Sequence, residues 1–320
     1  MAAVLSGADT PASSLIDTRC HQRAIQVAEN KSHANSNRHN FSTVPNAIAQ
    51  FSRILAGLPM SHAYAAREIE IRHCSSVAEF SECVRVEHAV WGAATAVPTP
   101  VFVVAAHETG GQVLGAFADG RMLGFILAFA AVRDGHHFLH SHMAAVLPEF
   151  RDRGVGRRLK LAQHEDALRR GINLIEWTFD PLDVKNAYFN LVRLGAIARR
   201  FIPNCYGVTG SKLHGALRTD RLVAEWWLDS DRVKAMLAGH VPGVGSPTER
   251  ISIPASFAEL RESDQASAAS IQSEARAQFL KWFSEGYAAT GVERGAEATD
   301  YLLEPQAAID GLKLPKTKES

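Results

Sequence analysis

Residues Phe138–Gly171 read FLHSHMAAVLPEFRDRGVGRRLKLAQHEDALRRG. Phe138 to Leu147 alternates and then runs apolar, as a strand does. Pro148 has no N–H to give to a ladder and ends it. Arg151-Asp152-Arg153-Gly154-Val155-Gly156 follows, then helix formers as far as Arg170. Val155, Leu159, Ala162 and Leu168 are spaced to share one face of that helix. The unit is strand, glycine loop, helix.

The loop is suited to an anion. The first amides of a helix have no intrahelical partner, and the helix dipole makes that end electropositive. Gly154 and Gly156 let the backbone approach a phosphate closely. Arg151, Arg153, Arg157, Arg158 and Lys160 add positive charge, so a pyrophosphate is the natural ligand. A dinucleotide fingerprint would need a third glycine where Leu159 stands. A P-loop would end in Gly-Lys-Ser/Thr, which does not occur here.

The remaining pattern, R-x-x-G-x-G after a strand ending in V-L-P-E, resembles the acyl-CoA-binding motif of the GNAT superfamily of N-acetyltransferases. The order of elements on either side agrees. Glu68–His73, Gln112–Phe117, Met122–Val132, Asn173–Phe179, Ala196–Phe201 and Arg221–Leu228 read as strands. Val77–Val90 and Pro100–Glu108 read as helices, and Val184–Leu194 as a short one with Gly195 as its C-cap. The resemblance covers about residues 67–229. It implies an α/β (α+β) fold with a mixed, mostly antiparallel sheet flanked by helices.

Outside that span the sequence changes character. Residues 1–66 are rich in Ser, Asn and Ala and read as a poorly ordered N-terminal arm, with a short helix at Ala47–Leu58 and a second start at Met60. Residues 230–320 form a C-terminal α/β extension, expected to cover the first domain. It has a helix at Val233–Ala238, a strand at Glu249–Pro254, an amphipathic helix within Ser263–Gly286, and an ordered close at Gly291–Leu303.

Composition narrows the function classes. Of 320 residues, 34 are Lys or Arg and 34 are Asp or Glu, so no global field favours nucleic acid or a membrane. No apolar run approaches the about 18 residues of a membrane span. Four scattered cysteines show neither metal nor disulfide spacing and fit a cytoplasmic setting. Oligomeric state is left open, a homodimer included.

The resemblance implies direct transfer of an acyl group from an acyl-CoA, most commonly acetyl-CoA, to an acceptor amine. In such enzymes the fourth and fifth strands splay to admit the pantetheine arm. The backbone of Ala144, Ala145 and Val146 would hold that arm. The amides of Arg153, Gly154, Val155, Gly156, Arg157 and Arg158 would take the pyrophosphate, beside Arg151, and Asn186 would touch the CoA. Many members place a tyrosine four residues before the glycine after the short helix, and here that position is Leu191. Tyr188, one turn earlier, is the replacement candidate for general acid, and Tyr206 is the second.

For the general base, Glu176 comes first, because an inward carboxylate in mid-strand must be paired or functional. His140 and His142 follow, since residues i and i+2 of a strand share a face and neutral imidazole accepts a proton near neutral pH. His136 joins them by alternation, but no nearby Cys or Asp has ligand spacing, so no metal is expected. Asp180 and Asp183 are read as a strand end and a helix cap, with a cationic acceptor as the alternative. Trp91, Trp177 and Phe179 suggest a small or medium-sized acceptor with an apolar part. The alternative to an enzyme is a non-catalytic acyl-CoA-binding regulatory or interaction module, which the leucine at 191 keeps open.

Overall fold

The computed structural model describes residues 69–92, 96–207, 217–240 and 249–309. The chain divides into two compact units, Met1–Ala65 and Ala66–Ser320, and every described residue belongs to the second. The N-terminal arm, its expected helix and Met60 lie outside the described residues, as do parts of the 93–100 and 207–219 loops.

In chain order the elements are β1 (Glu70–His73), α1 (Val77–Trp91), α2 (Thr99–His107), β2 (Gln112–Ala118), β3 (Arg121–Arg133), β4 (His136–Val146) and α3 (Val155–Arg169). Then come β5 (Leu174–Phe179), α4 (Val184–Tyr188) running into a π-helical turn at Phe189–Arg193, β6 (Ile197–Ile202), β7 (Arg221–Trp227) and α5 (Asp231–Leu237). After these come β8 (Glu249–Pro254), α6 (Phe257–Ser263), α7 (Gln265–Ser284), β9 (Tyr287–Arg294) and β10 (Ala298–Pro305).

Local chemistry explains several boundaries. Ser76 and Glu79 close a reciprocal capping box at the start of α1. Asp119-Gly120 and Asp134-Gly135 have positive φ at both residues, the mirror-image turns whose twist suits tight hairpins, so β2, β3 and β4 follow one another as a meander. The π turn arises where Leu194 N–H reaches back five residues to Phe189 O. The sequence suggests one continuous helix over Val184–Leu194, because periodicity does not register a single widened turn.

Among the described residues ten strands form one sheet in the order β1-β2-β3-β4-β5-β7-β6-β9-β10-β8. Every paired neighbour is antiparallel except β4 with β5. The mixed, mostly antiparallel sheet flanked by helices is therefore present. The C-terminal extension continues the sheet: Ala289 of β9 pairs with Ala198 of β6, and β10 and β8 follow. The β9–β10 hairpin is the element least visible in the sequence. Ala288, Ala289 and Gly291 have weak strand preference, and their place is set by tertiary pairing.

Two faces follow from the register. Gln112 and Ser141 look towards α3, where they meet Asp166 and Lys160. Phe125 looks the other way, its ring edge-on to Phe102 of α2 at 5.5 Å. Alternation from Phe125 puts Phe129, its partner His140, and His140's own partner Glu176 on the α1–α2 face. The main core lies on the α3 side, around Trp177, Trp226, Leu191, Phe279 and Tyr301.

The buried stripe of α3 differs from the expected one. Val155 and Leu159 are buried as anticipated, but Leu168 is exposed. The remaining buried positions are Lys160, Gln163, Asp166 and Ala167. Asp166 is held there by Gln112, His73, Arg169 and Arg170.

Candidate active site

β4 and β5 pair only at Leu139 with Ile175 and His140 with Glu176, and then part. On its other edge β4 stays paired to β3 as far as Val146 with Gly124. Ala128 opposes Ser141 and Leu127 opposes Met143, so His142 is the extra residue of a bulge where the strands separate. The freed edge, Ser141–Val146, lines a cleft of about 660 Å³. Its other walls come from Trp91, Gly156, Leu159, Lys160, Trp177–Asp180, Asn186, Phe189, Asn190, Tyr206 and Arg221.

One end of the cleft meets the start of α3. Gly154 is the N-cap with φ 78°, in the left-handed region that disfavours a side chain, and no side chain caps the helix. A Cβ built at Gly154 would meet nothing within 4 Å, so the backbone conformation, not crowding, requires glycine there. At Gly156 a Cβ would touch only Val146 Cγ2, at 3.8 Å.

Ala144, Ala145, Val146, Gly156 and Asn186 line the cleft, whereas Arg151, Arg153, Gly154, Val155, Arg157 and Arg158 do not. The arginines have protein partners. Arg151 Nε donates to Val146 O at 3.3 Å, Arg157 Nη2 to Leu237 O at 3.4 Å, and Arg158 to Ile69 O. Arg153 lies over the Phe150 ring at 5.8 Å.

The candidates for proton transfer separate clearly. Glu176, the first choice from sequence, is buried and does not line the cleft. Its Oε1 is 2.8 Å from Arg133 Nη1 and 2.6 Å from Arg200 Nη2, so the carboxylate is committed to two guanidiniums. Neighbouring Glu225 is likewise held by Arg199 and Arg200. Tyr188 is also turned away: its ring packs on the main core under Arg294, 4.2 Å from the guanidinium carbon. Leu191, at the position where a tyrosine is common, is fully buried.

The two histidines remain. His142 opens onto the cleft, and His140 lies behind it with ring centroids 6.0 Å apart. Surrounding protein lowers the pKa of His142, while burial and then the neighbouring His142 lower that of His140. Both rings are therefore neutral near pH 7, with a lone pair available. Tyr206 also lines the cleft, its hydroxyl 2.8 Å from Thr178 Oγ1. Asp180 accepts a hydrogen bond from Leu182 N at 2.9 Å, and burial raises its pKa. Asp183 caps α4 by accepting from Asn186 N. Among the described residues no group of three His, Cys, Asp or Glu is placed to hold a metal.

Lys160 is the site residue that sequence reading passed over. The sequence offers it only as one more positive charge beside the anion-binding loop, yet its ammonium nitrogen is buried in the cleft wall. The signal was available: Lys160, Gln163 and Asp166 stand at helical spacing on the stripe begun by Val155 and Leu159, where polar residues need a reason.

Residues 78–189 match the model of the acetyltransferase (GNAT) family, and this part of the chain is a GNAT acetyltransferase domain. The class so defined is an acetyltransferase that uses an acyl-CoA as co-substrate. Among solved structures, the ribosomal-protein-S18-alanine N-acetyltransferase from Escherichia coli is 16% identical with a TM-score of 0.40, over 49% of this chain and 92% of that one. The NatC complex bound to Gag peptide and CoA gives 13% identity and 0.41, over 49% and 97%. An aminoglycoside acetyltransferase from an uncultured soil metagenomic sample, in complex with sisomicin, gives 15% and 0.35, over 38% and 84%. All three are distant, and the class rests on the family match. No curated protein matches the chain. Among the described residues no helix is long and apolar enough to cross a membrane.

Proposed function

We propose that the protein is an N-acyltransferase that moves an acetyl group from acetyl-CoA directly to the amine of a small or medium-sized acceptor. The transferase unit is residues 67–229, with 230–320 as its extension. The observation that carries this reading is the parting of β4 and β5, which opens a cleft lined from Gly156 in the first turn of α3 to His142.

The residues present suit a CoA. Helix-start amides at 155–157 offer N–H groups to a pyrophosphate, with Gly154 setting the turn. The unpaired edge of Ala144–Val146 offers backbone groups to the amides of a pantetheine arm, as a sheet edge does to an added strand. Asn190 Nδ2 is buried without a protein partner in the same wall. The co-substrate supplies an activated acyl carbon, and the chain does the rest. His142 takes a proton from the acceptor, with His140 behind it. Trp177, Phe179 and Trp91 provide apolar surface, while Asp180 and Tyr206 provide polar contacts. A cytoplasmic setting belongs to this reading and rests on the scattered cysteines.

Calorimetry with acetyl-CoA and desulfo-CoA, followed by thiol release with a panel of amines, tests the proposal. Binding together with amine-dependent thiol release is expected. Absence of binding would end the acyltransferase reading. Binding without turnover on any amine would favour the acyl-CoA-binding module, the reading to which Leu191 and the core-packed Tyr188 point.

A further inference from the structure

Lys160 lies between the two strands that part. Its Nζ is 3.0 Å from Ser141 Oγ of β4, 3.0 Å from Gln163 Oε1 of its own helix, and 3.9 Å from the ring centroid of Trp177 of β5. These are two neutral oxygens and a π face, and among the described residues Lys160 forms no ion pair. A buried ammonium without a counter-anion is costly, and burial lowers its pKa to about 7. The titratable and charged groups around the same cleft are His140 and His142 of β4, Asp180 after β5, Tyr206, and Arg221 of β7, whose guanidinium donates to Asp220 O and lies over the Tyr206 ring. Glu176 is on the opposite face of β5, committed to its arginines.

The site is thus prepared for an anion that arrives or forms there. Taking the proposed function as given, the reaction makes one, the CoA thiolate. The other candidates for meeting it are poorly placed: Leu191 is apolar, Tyr188 packs under Arg294, and the Tyr206 hydroxyl is engaged with Thr178. We infer that Lys160 is the group that stabilises and protonates the departing CoA thiolate.

The carbon–nitrogen bond forms as the carbon–sulfur bond breaks, and the electron pair of the latter stays on sulfur. The proton lost by the acceptor nitrogen leaves through His142. One proton passes from the Lys160 ammonium to sulfur, and the lysine takes another from water before the next turnover. Ser141, Gln163 and Trp177 hold the amine in place throughout.

The test is the ionisation of CoA bound to the full chain, followed by the ultraviolet absorbance of its thiolate across pH. In the wild-type protein the bound thiol should ionise about one unit or more below free CoA, a tenfold effect on its acidity. Lys160→Met should return it to the free value while binding desulfo-CoA within about twofold of wild type, because the apolar chain fills the same space. With acetyl-CoA and an acceptor, Lys160→Met should lower kcat by about tenfold or more with little change in KM, and Lys160→Arg should recover part of the thiol shift. If wild type binds CoA but the bound thiol ionises like the free one, the inference falls and the acyltransferase reading stands. Acetylation of Lys160 itself, seen by mass, would also overturn it, since an acetamide carries no charge. If CoA does not bind, both fall together. The wild-type measurement decides even if a variant does not fold.

Discussion

Lys160 exchanges the hydration of its charge for two neutral oxygens and an aromatic face, so its cost to folding depends on pH. Its pKa falls from 10.5 to about 7 in the folded chain. Below pH 7 the group is charged in both states and the full penalty applies. Between pH 7 and 10.5 the unfolded chain holds the extra proton, so native stability rises with pH, and above that window the penalty is gone. Lys160→Met should therefore be more stable than wild type by on the order of 5 kcal/mol at pH 6, with the gain vanishing near pH 10.5. Denaturant unfolding at several pH values measures this, and a gain independent of pH would refute it. The histidines give a contrasting prediction. His142→Gln should lower kcat/KM by about 10²–10⁴ and remove an acid limb lying below the ordinary histidine value of 6.5. Glu176→Gln should keep that limb and instead cost about 3 kcal/mol of stability, because Arg133 and Arg200 lose a buried partner. A pH–rate profile that changes in the glutamine variant at 176 would restore Glu176 as the base.

At the scale of elements, the loop before α3 should separate backbone strain from ligand contact. Gly154 has φ 78° with open space beyond it. Gly154→Val should cost about 1–2 kcal/mol for a branched side chain held in the left-handed region. The new side chain would also project into the space before the helix amides, so acyl-CoA affinity should fall by about tenfold or more. Calorimetry on the folded variant checks this, and unchanged affinity would move the pyrophosphate away from α3. This loop and its helix were legible in the sequence because proline and glycine punctuate them and the apolar spacing is local. The features that set the chemistry were less so. The bulge at His142 is a mismatch of register between two strands, invisible in either alone. Glu176 finds Arg133 43 residues away, so its role as a structural ion pair depends on the assembled sheet. Tyr188 is a candidate only as the tyrosine one helical turn before Leu191, and the π turn at Phe189–Arg193 alters the register on which that count depends.

The whole molecule ties the cleft to its C-terminal strands. β9 pairs with the outer edge of β6, and Arg232 donates to Gly195 O at 3.2 Å and to Thr290 O, joining the end of the π turn to β9. On β10, Tyr301 is fully buried with its ring 5.0 Å from Phe279, and its hydroxyl donates to Pro181 O at 2.6 Å. Pro181 directly follows Asp180 of the cleft wall, so a strand 120 residues downstream holds the turn on which that wall ends. Tyr301→Phe keeps the packing and removes only the donor, leaving a buried carbonyl unpaired at a cost of about 1–3 kcal/mol. If the extension braces the cleft, the loss should concentrate there: amide hydrogen exchange should quicken at Leu182 and in α4 more than in β2 or β3, with acceptor KM rising more than kcat falls. Uniform acceleration across the sheet would mean that Tyr301 contributes only global stability. Removal of residues 249–309 should go further, since it uncovers the edge of β6 and the ring of Phe201 stacked on Phe279. The shortened chain should then associate at concentrations where the full chain stays dispersed, as light scattering would show.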